Sequence, residues 1–171
     1  MTFNLNKELL VTDEAVIEAN CRFIKFLKTL KEQRLLNGKN ETGLILYADD
    51  QYVNRQAIKM TFEDVGLSKR LVMFQNGQEV LEFLERYQDN HEQSDQNVVY
   101  QPISLLLLDI NMPVLNGLQT LPLVKKRFAD LNETMKVQRP LICYLTQFEE
   151  SFQQLVTENE KADLFLQKPL P

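Results

Sequence analysis

The chain has 171 residues, 44% of them hydrophobic and 25% charged, the balance of a water-soluble domain that buries a core rather than of a disordered or fibrous chain, and too short for two large domains. Its net charge is −5, and no cluster of basic residues interleaved with aromatics marks a nucleic-acid surface. The longest mostly apolar run, residues 103–108, falls far below the roughly 20 residues of a membrane-spanning helix, so no membrane segment is expected. The first ten residues lack the basic flank and apolar stretch of a secretory signal, and two cysteines, Cys21 and Cys143, are too few for a disulfide framework; the expected location is cytoplasmic. Residues 1–43 carry seven basic and six acidic side chains, leaving twelve and eighteen for residues 44–171, so the acidity belongs to the second part.

Residues 7–36 contain neither Pro nor Gly, end at Asn37-Gly38, and read as one long helix or two shorter ones. Ala19, Phe23, Phe26, Leu27 and Leu30 form an apolar stripe at spacings of three and four, with Lys25, Lys28, Lys31 and Glu32 turned to water. The stripe packs on its own domain, pairs across a homodimer or, as the least favoured reading, lies on a membrane surface. Cys21 is expected to pack within the helix.

From residue 44 the pattern changes to alternating strands and helices. Residues 44–48, 70–74, 103–109, 140–145 and 164–166 read as strands, the third apolar at nearly every position, as a central parallel strand is. Between them Val53, Ala57 and Met60 are expected to face inward from a first helix. Val80, Phe83, Leu84 and Tyr87 line a second, Leu121, Val124, Phe128 and Leu131 a third, and Phe152, Leu155 and Val156 a fourth. Pro122 is expected in the first turn of the third of these helices. The polar residues 88–97 read as a surface loop. Alternating βα units imply an α/β domain with a parallel sheet covered on both faces.

In such a sheet, functional groups gather beyond the carboxyl ends of the strands. Here those ends carry Asp49-Asp50, Asp109, Thr146 and Lys168-Pro169. Three carboxylates brought together repel one another unless a cation sits among them, and oxygen-only ligands suit a hard ion such as Mg2+. A metal beside a carboxylate, a hydroxyl and an ammonium can surround a phosphoryl group, so phosphoryl transfer is the reaction class.

The strings LILYADDQYVNR, FQNGQEVLEFL, LLLLDINMPVLNGL, CYLTQ and LFLQKP follow the order of the receiver domain of two-component response regulators, which the chain resembles over residues 44–169. The resemblance implies a flavodoxin-like, doubly wound sheet of five parallel strands in the order 2-1-3-4-5. It also implies a division into a helical extension or linker, residues 1–43, and a receiver, residues 44–171. By the same resemblance Asp109 is the phosphoacceptor, Asp50, Asp109 and the Asn111 backbone carbonyl hold Mg2+, and Asp49 acts on the ion through a water or through the residues that ligate it. Thr146 and Lys168 sense the phosphate, Phe165 is the aromatic that switches rotamer with Thr146, Met112-Pro113 and Gly117 complete the turn after the phosphoacceptor, and Lys168-Pro169 matches a cis-peptide site.

Two departures stand out. Gln147 and Phe148 follow Thr146, where the family commonly has a small residue and then a polar one, which implies a long-lived acyl phosphate. The chain also reaches Pro171 where a fifth helix is expected to begin, so that helix is missing or truncated. Residues 88–101 and 129–139 read as loop insertions at the end opposite the site.

The expected role is a phospho-accepting module of a histidine-to-aspartate phosphorelay, resembling the receiver part of a hybrid sensor kinase or a stand-alone relay protein. Its partner is a histidine kinase or a histidine phosphotransfer protein as phosphodonor. It modifies itself and is not an enzyme acting on a separate substrate. The rival is a receiver-like interaction or dimerisation module that works without phosphorylation. His91, the single histidine, lies in the polar stretch and makes a poor phosphohistidine.

Overall fold

Strands built almost wholly from Leu, Ile, Val, Tyr and Phe bury side chains on both faces only if helices cover both. That is the arrangement in the computed structural model, which describes residues 13–32, 43–93, 101–146 and 162–168. The elements run α1 (Asp13–Glu32), β1 (Leu44–Ala48), α2 (Tyr52–Asp64), a single 3-10 turn (Ser68–Arg70), β2 (Leu71–Phe74), α3 (Gly77–Gln93), β3 (Ile103–Asp109), α4 (Gly117–Met135), β4 (Leu141–Thr146) and β5 (Leu164–Gln167). The five strands form one parallel sheet in the order β2-β1-β3-β4-β5. The chain is thus a flavodoxin-like α/β domain with the expected order.

Period-two alternation divides the core. Leu46, Ala48, Leu106, Leu108, Ile142 and Tyr144 point to one side, where they meet Val80 and Leu84 of α3 and Leu121, Val124 and Phe128 of α4. Ile45, Tyr47, Leu105, Leu107, Cys143 and Leu145 point to the other, where they join Ile58 and Phe62 of α2 and Phe23 and Leu27 of α1. The N-terminal helix therefore shares a sheet face with α2 and lies against β5. Phe23 and Leu27 are fully buried, and the Phe23 ring stands edge-on to Phe62 at 6.2 Å between centroids. Burial of these two side chains contributes about 3–6 kcal/mol as an upper estimate. Phe26 is half-buried and Lys25 and Lys28 face water, as the stripe predicts, whereas the side chains of Ala19, Leu30, Lys31 and Glu32 lie outside the described residues.

Several expectations need correction. On α2 the inward positions are Asn54, Ile58 and Phe62, while Val53 and Met60 are 55% and 65% exposed and Ala57 is half-buried. The i, i+4 series Asn54, Ile58 and Phe62 forms the inner face: Ile58 and Phe62 bury larger apolar side chains than Val53 and Met60 would, and Asn54 on the same face hydrogen-bonds Asp49. The polar stretch after residue 88 is not all loop: α3 continues to Gln93, its outer face solvated. Likewise α4 continues to Met135 through much of the second expected insertion and ends at Lys136 in the left-handed region, φ 59°. Pro122 is the sixth residue of α4, one turn deeper than expected, so the Leu118 carbonyl loses its usual i, i+4 amide donor. Cys21 is exposed on α1 and does not pack, whereas Cys143 is a core residue whose thiol is pushed up by burial. The expected fourth helix of the α/β series, Phe152, Leu155 and Val156, lies outside the described residues.

Candidate functional site

Two aspartates terminate neighbouring strands, and each folds the chain beyond its strand in the same way. Asp49 Oδ1 accepts the Gln51 amide at 2.8 Å, and Asp109 Oδ1 accepts the Asn111 amide at 3.3 Å, both i to i+2 turns that Asp side chains favour. The pairing of β1 with β3 sets Ala48 opposite Leu108, so Asp49 and Asp109 emerge side by side. Asp50 follows and is exposed. Ligand oxygens of Asp49, Asp50 and Asp109 lie within 4.8 Å of one another.

Lys168, directly after β5, reaches both buried acids, with Nζ 2.7 Å from Asp49 Oδ2 and 2.8 Å from Asp109 Oδ2. It is only 3% exposed, so this ammonium is held in place by two carboxylates and little water. Burial pushes the Asp109 carboxyl up to about 6, Lys168 opposing the rise and the Asp49 charge adding to it. One ammonium does not balance three carboxylates. An oxygen-only set this close, with one member held high by burial, fits a hard divalent cation.

The loop from Asp109 to α4 is tightly built. Gly117 donates its amide to the Ile110 carbonyl at 2.9 Å, and a Cβ at Gly117 would stand 2.3 Å from the Asp109 carbonyl oxygen, so no other residue fits there. The Leu115 amide bonds the Pro113 carbonyl at 2.7 Å around Val114, which sits at φ 67° and is 79% exposed. This three-residue turn is an uncommon and strained place for a β-branched side chain. Asn116 then caps α4, accepting the Gln119 amide at 2.9 Å while Gln119 Oε1 accepts the Asn116 amide at 3.1 Å.

With this geometry in view, comparison with known proteins is decisive: residues 45–171 match the family model of the response regulator receiver domain. The chain belongs to that family. The receiver of the histidine kinase CKI1 from Arabidopsis thaliana, in a crystal structure complexed with Mg2+, is similar at a TM-score of 0.57 and 20% identity, over 74% of this chain and 83% of that one. The bacteriophytochrome response regulator AtBRR is similar at 0.56 and 22%, over 76% and 84%. At these identities the likeness is one of fold. No curated protein matches the chain. Receivers are signalling modules of two-component systems and do not turn over a separate substrate. Among the described residues no helix is long and apolar enough to cross a membrane.

Within this receiver the structure brings Asp49, Asp50, Asp109 and Lys168 together. Thr146 ends β4, its backbone opposite Gln167, but its side chain lies outside the described residues, as do Gln147, Phe148, Pro169 and the side chain of His91. The Asn111 amide faces Asp109. Phe165 is 37% exposed and packs on Tyr144, centroids 5.5 Å apart, and the Tyr144 hydroxyl donates to the Gly117 carbonyl at 3.2 Å.

Three contributors escape a reading confined to strand ends. Tyr47 Oη donates to Asp49 Oδ2 at 2.8 Å, Asn54 Nδ2 lies 3.3 and 3.2 Å from the two Asp49 oxygens, and Arg55 Nη1 donates to the Asp49 and Asp50 carbonyls at 2.7 and 2.9 Å. Alternation gives the signal for Tyr47, two residues before Asp49 and on the same side of the strand. The phenol is pushed up by burial and by the Asp49 charge, so it stays protonated and donates.

Proposed function

We propose that this receiver is the phospho-accepting module of a histidine-to-aspartate phosphorelay and that Asp109 takes the phosphoryl group in a Mg2+-dependent reaction. The observation that carries the reading is the buried Lys168 ammonium between Asp49 and Asp109 at 2.7 and 2.8 Å, beside a three-carboxylate cluster. Asp50, Asp109 and the Asn111 carbonyl would hold the ion, which supplies Lewis-acid neutralisation of phosphoryl oxygens. An Asp109 oxygen attacks phosphorus as the bond to the donor's histidine nitrogen breaks, and the imidazole leaves with its electron pair. Lys168, freed from Asp109 as that carboxylate becomes an acyl phosphate, neutralises a phosphoryl oxygen, and the Thr146 hydroxyl donates to another. Phe165 and Thr146 report the change to the surface.

The donor is a phosphohistidine protein, either a histidine kinase or a phosphotransfer protein. Residues 44–171 form the receiver and residues 1–43 an extension whose helix completes its cover, working in the cytoplasm. Intact mass after incubation with acetyl phosphate and Mg2+ tests the reading: one phosphoryl group is added, and none in Asp109→Asn or in EDTA. A phosphoryl group retained in either case assigns the acceptor elsewhere, and no phosphoryl group in the wild-type protein leaves a receiver fold that signals by binding alone.

A further inference from the structure

Asp49 is fully buried, and its carboxylate is crowded with protein donors. Oδ2 accepts Tyr47 Oη at 2.8 Å and Lys168 Nζ at 2.7 Å, Oδ1 accepts the Gln51 amide at 2.8 Å, and Asn54 Nδ2 lies 3.3 and 3.2 Å from the two oxygens. A carboxylate offers about four lone-pair directions, and those of Asp49 are taken up by these groups. Asp50 is exposed, and Asp109 accepts only Lys168 and the Asn111 amide among the described hydrogen bonds and ion pairs.

Of the Asp49 donors, Lys168 serves the phosphoryl chemistry, the Gln51 amide follows from the turn, and Asn54 sits at the longer distances. Tyr47 is different. Its ring lies in the apolar cluster with Ile58, Phe62 and Leu107, where Phe would fill nearly the same volume. What Tyr adds is a hydroxyl, a group that is costly to bury unless it is bonded, and here it is spent on Asp49.

We propose that Tyr47 is a positioning residue of the receiver site: its hydroxyl commits Asp49 to Lys168 and leaves the cation to Asp50 and Asp109. The proposal rests on the reading of the acidic cluster as a Mg2+ site. Removing the hydroxyl takes a hydrogen-bond donor from Asp49 Oδ2 and so strengthens the negative field that Asp49 exerts on the cluster, and the site should take the ion more tightly.

The test is Mg2+ titration by calorimetry of the full chain and its Tyr47→Phe variant, with the fold checked by circular dichroism. The expected result is Mg2+ binding tightened at least threefold in Y47F; equal or weaker binding in a folded variant overturns the proposal. Failure of the wild-type chain to bind Mg2+ is a separate result, which removes the metal reading and the proposal with it. A second measurement needs no variant. In the NMR spectrum of the wild-type chain the Tyr47 hydroxyl proton should stay slowly exchanging from the metal-free state to Mg2+ saturation, and its loss on Mg2+ addition would show Asp49 leaving Tyr47 for the ion and overturn the assignment.

Discussion

Replacing Asp109 by Asn should stabilise the metal-free protein. The carboxyl rises from its ordinary 3.8 to about 6, chiefly through burial, so the folded state holds the proton more tightly than the unfolded chain does. The protonated form's contribution is fully present below pH 3.8 and is lost as the pH rises through about 6. Above that, keeping the buried carboxylate charged costs about 3 kcal/mol. Asn preserves the shape without the charge, and Lys168 keeps Asp49 at 2.7 Å. The Lys168 attraction already opposes the rise, so the net expected stabilisation is about 3 kcal/mol at pH 7, or roughly 5–10 °C in Tm. Urea unfolding of both proteins in EDTA at several pH values measures it. The difference between the two should open between pH 4 and pH 6.5, and Mg2+ should narrow it at pH 7 by neutralising the wild-type cluster. An Asp109→Asn variant no more stable than wild type at pH 7 in EDTA, or a difference independent of pH, would refute the account of a carboxylate held charged against burial.

Other expectations are simpler to check. Phe23→Ala should cost about 3–5 kcal/mol in urea unfolding, because a fully buried ring edge-on to Phe62 leaves a cavity; a loss under 1 kcal/mol would mean that α1 does not hold the sheet face. Light scattering should find one chain per particle, since Phe23 and Leu27 are used within the chain, and a two-chain mass would point to the homodimer. Val114→Gly should raise stability by about 1 kcal/mol, the relief of a strained turn outweighing glycine's greater unfolded-state entropy. A combined Gln147→Ala and Phe148→Glu variant should lose phosphate faster than wild type when decay is followed by intact mass, and unchanged decay removes these residues from any account of lifetime.

Strand positions, and the polar residues that gather at the strand ends, were legible because the signals for both are local. A strand covered on two faces is a run of apolar residues, and a polar group at its carboxyl end can point only toward the site, so Asp49, Asp109 and Lys168 declared themselves. Helix rotation was less legible. The apolar residues of 52–64 offer two faces, Val53 with Met60 and Ile58 with Phe62, and burial of the bulkier second pair, together with the nearby contact of Asn54 to Asp49, sets the one that is used. Helix length at a solvated end was hidden for a similar reason. Polar residues such as those at 88–93 suit a loop and the outer turns of a helix equally well, and only the preceding periodic segment Val80, Leu84 and Tyr87 carries the helix forward.

The position of α1 shows what the covering of a parallel sheet requires. The face formed by Ile45, Tyr47, Leu105, Leu107, Cys143 and Leu145 demands apolar area at helix–sheet distance, and nothing in that demand refers to chain order. A helix preceding β1 presents Phe23 and Leu27 to that face beside Ile58 and Phe62 of α2. Tyr47 belongs to the same buried cluster and bonds Asp49 at its far end, so the packing that holds α1 also fixes the ring whose hydroxyl reaches the acids. In a close-packed interior, a loss of volume at Phe23 is felt by its cluster neighbours. Helix α1 is therefore a structural part of the acidic cluster's support through the buried residues it shares with Tyr47.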